Sequence, residues 1–320
     1  MRELGSETLV AVVVPFFNEA ENIRAFVEEV RAELGRLELA GGVELVLCND
    51  GSDDGSGDVL DELATEHPKE VRVVHLARNF GHAAALTAGL AHTRADVVIT
   101  MDGDMQDDPG AFAEFLEQWR AGYDVVYAIR TAREEHAVLR WVFWGFYRAL
   151  RWMANVELPL DAGNFGLMDR KVVDSLQALP ERNLYFPGLR AWVGFRQTGV
   201  EVPRRARYDR KSRVGLRGLW SLAGNAVFSF SYVPILLFRM AGMAAMLLFF
   251  LLIVYVLAAR WVLGIAVGVA DEMLIICFFC GINLMGIAIL GEYIARIYDE
   301  VKGRPRYVVS RVSNQPSNTE

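Results

Sequence analysis

From Thr8 to Met101 the chain alternates short apolar runs with segments whose apolar residues recur every three or four positions, and few folds accept that alternation. The runs Thr8 to Pro15 (TLVAVVVP), Glu44 to Asn49, Val71 to Leu76 and Val97 to Met101 are mostly apolar and rich in β-branched residues, the pattern of strands covered on both faces. Between them, Asn18 to Leu37 sets Ile23, Phe26, Val27, Val30 and Leu34 at helical spacing, with Asn18 as the expected N-cap. Further helices are expected near Gly57 to Glu66 and His82 to His92, and a further strand at Tyr123 to Ile129. The expectation is an α/β fold with a doubly wound, mostly parallel sheet, whose ligands bind beyond the carboxyl ends of the strands.

Three of those strand ends carry polar groups: Phe16-Phe17-Asn18-Glu19, Asn49-Asp50-Gly51-Ser52 and Asp102-Gly103-Asp104. Each alone reads as turn chemistry. Their arrival at one edge of one sheet points to a shared ligand site. In the third, two carboxylates at i and i+2 repel each other, and a hard cation would relieve that repulsion, with Gly103 letting the backbone come close to a ligand. The plainer reading of that stretch is an acidic helix start, with Asp107 and Asp108 as first-turn charges before Pro109. A nucleotide diphosphate suits the shared site, because a divalent cation held by carboxylates bridges to phosphate oxygens. Neither a G-x-G-x-x-G nor a Walker A run is present, which counts against a dinucleotide enzyme or a P-loop ATPase.

The second half has another character. The chain is 53% hydrophobic, and the excess lies after Tyr232. Ala241 to Ala259 is an unbroken apolar run, about 28 Å as a helix and so long enough to cross a bilayer core. Met273 to Leu290 is a second, with Asn283 its one strongly polar member. Arg260, Asp271 and Glu272 lie between the runs, while Arg239, Arg296, Lys302, Arg304 and Arg306 flank their outer ends. The positive-inside rule then puts both chain ends in the cytoplasm. Ahead of these runs, Ala137 to Val156 mixes Trp141, Phe143, Trp144, Phe146 and Tyr147 with Arg140, Arg148 and Arg151, as an interfacial helix does. Arg204 to Arg217 holds seven basic residues, a run suited to an anionic membrane or a phosphate. Leu160 to Lys171 is expected as an irregular return to the site, and the tail from Ser310 as disordered.

The formal charge of −7 argues against a general nucleic-acid binder. Cys48, Cys277 and Cys280 form no disulfide framework, which fits a reducing compartment for the first part. Cys277 and Cys280 make a C-x-x-C inside an apolar run with no second ligand pair, so membrane-buried thiols are expected there in preference to zinc. Leu9 to Phe17 is short, contains Pro15 and lacks a small-residue cleavage site, so it is expected as a first strand and no signal peptide.

Taken together, VVVPFFNEAENI (Val12 to Ile23), NDGSDDGS (Asn49 to Ser56), RNFGHAAALTAGL (Arg78 to Leu90), MDGDMQDDP (Met101 to Pro109), DAGNFGLMDR (Asp161 to Arg170) and RYDRKSRVGLRGLWSLA (Arg207 to Ala223) resemble glycosyltransferase family 2. The resemblance is to its polyprenyl-phosphate branch, which includes dolichol-phosphate mannose synthases and the bacterial glucosyltransferases of O-antigen modification. It implies a type A nucleotide-sugar-binding glycosyltransferase fold in residues 1–232, with interfacial helices near 137–156 and 214–231. It also implies two transmembrane helices in 233–295 and a cytoplasmic tail in 296–320. Pro15, Phe17, Glu19 and Asp50 would contact the nucleotide, and Asp102, Asp104 and Gln106 would hold Mg²⁺ or Mn²⁺. Arg130, Arg140, Lys211 and Arg213 would face the lipid phosphate or the donor phosphates, and Asp102, Asp104, Asp161 and Arg130 would form the catalytic set. Asn49 and Asn164 depart from the family, which often has Asp at both places; the second leaves Asp161 as the neighbouring acid. The implied partners are a nucleotide-sugar donor, undecaprenyl phosphate, the cytoplasmic membrane and, by analogy, other copies in a tetramer. The implied reaction is inverting sugar transfer, with UDP-glucose the first donor to consider and GDP-mannose or a UDP-amino sugar the alternatives. A non-catalytic protein that binds nucleotide sugars or lipid phosphates is the rival of another class, and the triad Asp102, Asp104 and Gln106 speaks against it.

Overall fold

The structure is a computed structural model that describes residues 2, 5, 7–130, 162–181, 186–203, 233–261 and 268–314. The expected interfacial helices near 137–156 and 214–231, the basic run at 204–217, and Arg140, Asp161, Lys211 and Arg213 lie outside the described residues.

The chain forms two compact units, one of which holds residues 1–151 and 156–219 together with residues 304–320. Its elements are β1 (Val10–Phe16), α1 (Ile23–Arg36), β2 (Val43–Asn49), α2 (Ser56–Glu66), β3 (Val71–Leu76), α3 (His82–Ala91) and β4 (Val97–Thr100). A 3-10 turn at Pro109–Ala111 leads into α4 (Phe112–Arg120), followed by β5 (Val125–Arg130), β6 (Ala162–Asp169), α5 (Arg170–Ala178), α6 (Phe186–Trp192) and β7 (Gln197–Val202). A last strand, β8 (Val309–Ser313), follows the apolar helices in the chain. Among the described residues the sheet has eight strands in the order β7-β5-β6-β4-β1-β2-β3-β8.

The expected α/β alternation builds the centre of this sheet. Strands β3, β2, β1 and β4 are parallel neighbours, with Val10 level with both Val43 and Val97. Every residue of β1 is buried, which is why its sequence shows no polar alternation. On one face Val10, Val12, Val14 and Phe16 join Phe26, Val30 and Leu34 of α1 and Phe112, Phe115 and Trp119 of α4 in the main core. On the other face lies α3, buried from Ala84 to Leu90. Its small residues let a helix press directly on the sheet, and a Cβ on Gly89 would stand 2.3 Å from a methyl of Val13.

Three expectations change. The helix starts at Ile23, after Asn22, while Asn18 sits at φ 55 outside it. Both ends of the Asn18 amide are taken by Asp53 across the neighbouring loop, so that side chain is not available to cap a helix. The return segment is a strand, β6, inserted antiparallel between β4 and β5 with Thr100 opposite Gly166 and Gly166 opposite Tyr127, and its register against β5 shifts between Tyr127 and Ile129. Its ladder comes from partners far away in sequence, which local composition does not reveal. The tail from Ser310 is ordered through Asn314: β8 pairs antiparallel with β3 and covers that edge of the sheet.

The second unit contains α7 (Val233–Trp261) and α8 (Val269–Val301). Phe238, early in α7, packs on Gly286, and Phe249, further along, meets Phe279, which comes earlier in α8. That is the register of an antiparallel pair. Both helices are long and apolar enough to cross a membrane, and large apolar side chains such as Met246, Phe250, Leu284 and Ile287 are exposed on them. At about 50 Å, α8 exceeds a bilayer core, and its last turns carry Glu292, Arg296, Asp299 and Glu300.

Candidate active site

The carboxyl edge of the parallel strands gathers the three polar strand ends, and the first two bond to each other. The Asn18 amide donates to Ser52 Oγ at 3.1 Å, the Glu19 amide to Ser56 Oγ at 3.0 Å and the Ala20 amide to Asp54 Oδ2 at 3.1 Å. The loops after β1 and β2 are therefore one hydrogen-bonded body. Gly51, at φ +66, lies so close to the backbone of Arg78 and Asn79 that a Cβ would stand 2.3 Å from the Arg78 carbonyl carbon. No other residue type allows the loops after β2 and β3 to touch there.

Asp50 is 2% exposed, and its two carboxylate oxygens accept the amides of Phe80 and Gly81 at 2.8 and 2.9 Å. Burial raises its pKa, against the opposing pull of those two amides. It thus fixes the turn into α3, and any nucleotide contact would be additional to that duty. Pro15 is buried in β1, Phe17 is exposed at the rim, and Glu19 is half-buried and accepts Asn22 Nδ2 at 3.0 Å.

The turn fixed by Asp50 delivers a residue to which the sequence assigned no role. His82, the first residue of α3, places Nε2 2.9 Å from Oδ1 of Asp102. Partial burial opposes a charge on the imidazole, but the bond to Asp102, with Asp50 and Asp104 nearby, prevails and holds its pKa above the usual histidine value. Asn164 of β6 also reaches Asp102 Oδ1, at 3.4 Å through Nδ2. An aspartate there would be an acceptor facing an acceptor, so the departure Asn164 acts as a donor to Asp102. The only sequence signal for His82 is a histidine one residue after a glycine that ends a loop.

Asp102 and Asp104 flank Gly103, and both are partly exposed. The glycine has a packing reason beside the expected approach to a ligand. A Cβ on it would lie 2.5 Å from the Phe16 ring, so the acidic turn packs flat on the end of β1. Asp104 Oδ1 accepts the Gln106 amide at 3.2 Å, and Met105 between them has φ 62. Asp108 accepts the Gly110 amide at 2.9 Å and caps the 3-10 turn, so the plainer helix-start reading holds for that residue. Arg130 ends β5, which runs parallel to β4 through their shared antiparallel neighbour β6, and so reaches the same edge.

Two partly exposed carboxylates on one turn are the oxygen donors that a hard cation takes, and they fit Mg²⁺ or Mn²⁺. Among the described residues no group of three His, Cys, Asp or Glu gathers around a point.

Residues 11–176 match the family described as Glycosyl transferase family 2. The chain is 35% identical over 303 residues to an uncharacterised glycosyltransferase of Synechocystis, covering 94% of each. It is 37% identical over 307 residues to the prophage-derived bactoprenol glucosyl transferase of Shigella flexneri, covering 94% of this chain and 97% of that one. Against the prophage bactoprenol glucosyl transferase homolog of Escherichia coli K12 the identity is 36% over 308 residues, covering 95% and 99%.

Proposed function

The chain belongs to glycosyltransferase family 2, and from that premise we propose that it transfers a sugar from a nucleotide donor to a polyprenyl phosphate at the cytoplasmic face of a membrane. The observation that carries this reading is the likeness to a bactoprenol glucosyl transferase along nearly the whole of both chains, with Asp102 and Asp104 at the carboxyl edge of β4. On this reading the nucleotide lies against Pro15, Phe17, Glu19 and Asp50. The diphosphate lies over Asp102, Asp104 and Gln106, the residues that would hold Mg²⁺ or Mn²⁺. Bound there, the cation supplies positive charge to the leaving diphosphate.

The acceptor phosphate has a second pKa of about 6, so near neutral pH it is already an anionic nucleophile and needs no strong base. One of its oxygens forms the new bond to the anomeric carbon. The bond from that carbon to the diphosphate breaks on the opposite side, its electron pair leaving with the nucleotide. The configuration inverts. The chain's task is to bring two anions together in line, and Arg130, Arg140, Lys211 and Arg213 are assigned to the acceptor phosphate. Asp161, the acid that neighbours Asn164 in sequence, is kept in the catalytic set with Asp102, Asp104 and Arg130. Helices α7 and α8 are assigned to the bilayer, with both chain ends in the cytoplasm.

The test is a transfer assay with purified protein, undecaprenyl phosphate and a panel of radiolabelled nucleotide sugars, UDP-glucose first. Label should enter the lipid phase with one donor and require a divalent cation. If no donor yields lipid-linked sugar while the protein still binds nucleotide, the reading is wrong.

A further inference from the structure

Behind the loop after β2 lies a polar chain, buried at Asn49 and His75, that the proposed reaction does not use. Asn49, the last residue of β2, is 5% exposed, and its Oδ1 accepts the Ser52 amide at 3.0 Å. Its Nδ2 therefore faces His75, 3.1 Å from Nδ1 of a ring that is 4% exposed. Since Asn49 donates, Nδ1 must accept, and the ring proton sits on Nε2. That nitrogen is 3.1 Å from Asp61 Oδ1 on α2, the acceptor this tautomer requires. Burial keeps the imidazole pKa below its usual value, in line with a neutral ring.

Asp61 is held in turn by β8. Ser313 Oγ donates to its Oδ1 at 2.8 Å, and Arg311 pairs with its Oδ2. Ser310 Oγ donates to the His75 carbonyl at 3.0 Å. At the other end, Ser52 passes the chain on to Asn18. An unbroken series of hydrogen bonds thus runs from the last strand through Asp61, His75 and Asn49 to the backbone of the loops after β1 and β2. The departure Asn49 matters to it. An aspartate at that place would offer no donor to Nδ1 and would call for the other proton arrangement.

We propose that Asp61 and His75 are positioning residues for the donor-binding loops, and that β8, the strand formed after the second apolar helix, holds them in place. This inference rests on the reading that residues 16–19 and 49–52 receive the nucleotide. The residues act through Asn49 and Ser52 and touch no reacting atom. Losing them lets the Asn49 to Ser52 turn relax, which weakens the donor's grip and leaves the acceptor side as it was.

The experiment titrates UDP and GDP, each with Mn²⁺, into the full-length protein in detergent. Wild type is compared with Asp61→Ala, Ser313→Ala, Ser313→Thr and Glu19→Ala, and donor KM, acceptor KM, kcat and the melting midpoint are recorded for each. Asp61→Ala and Ser313→Ala are expected to weaken nucleotide binding and raise donor KM about tenfold, the scale of one hydrogen bond to a charged group, with acceptor KM unchanged. Ser313→Thr, which keeps the hydroxyl, should restore wild-type binding. If Glu19→Ala weakens binding while Asp61→Ala and Ser313→Ala lower only the melting midpoint, the chain is a structural clasp and the proposal is overturned. If neither nucleotide binds wild type, or Glu19→Ala binds as wild type does, the loops are not the donor site, and both readings fall together.

Discussion

At the scale of single residues, the site is built from groups that restrain one another. Gly103 has the Phe16 ring where its side chain would be, so Gly103→Ala must push the acidic turn off β1. Over-packing of this kind costs about 1–3 kcal/mol, and chemical denaturation should report it together with weaker nucleotide binding. Asp104→Asn should abolish cation-dependent turnover with the fold intact; unchanged turnover would place the metal elsewhere. Asp102 and Asp104 were legible because they stand two apart in the chain. The bond of His82 to Asp102 was not, since it exists through the Phe80 and Gly81 turn that Asp50 holds.

At the scale of elements, the parallel strands β1 to β4 follow from their apolar runs, while the antiparallel strands β6 and β8 do not. Each of the latter depends on a partner that local sequence cannot name. The start of β5 is held in the same way. Asp124 binds Arg2 and the Lys171 ammonium, the latter at 2.7 Å, joining the amino-terminal segment to α5. Burial alone would raise its pKa, but Lys171 and Arg2 outweigh it and hold the carboxyl below its ordinary range. The stability this contributes is fully present above the unfolded value, about 3.9, and is lost as pH falls through the lowered folded value. Asp124→Asn should therefore cost about 1–3 kcal/mol near neutral pH and converge on wild type in acid, as denaturant midpoints across pH would show.

At the scale of the whole molecule, the chain leaves its sheet unit for two apolar helices and returns to place β8 on the edge of β3. If those helices cross a bilayer as proposed, residues 262–267 lie on the far side from both ends. Single protease sites inserted there and after residue 314 should then be cut from opposite faces of sealed vesicles. Cleavage from the same face would overturn that topology. The apolar alternation determined the parallel sheet by itself, and the length of two apolar runs determined the helix pair, because both follow from periodicity and reach. Motif order along the chain was enough for the family. Only the tertiary structure decided that Asn18 bonds a loop instead of capping a helix, that Val309–Ser313 form a strand, and that His82 and His75 take opposite parts around the site. Those outcomes turn on which polar groups meet across tens or hundreds of residues. A buried donor or acceptor must find a partner, and sequence spacing does not say which one it finds.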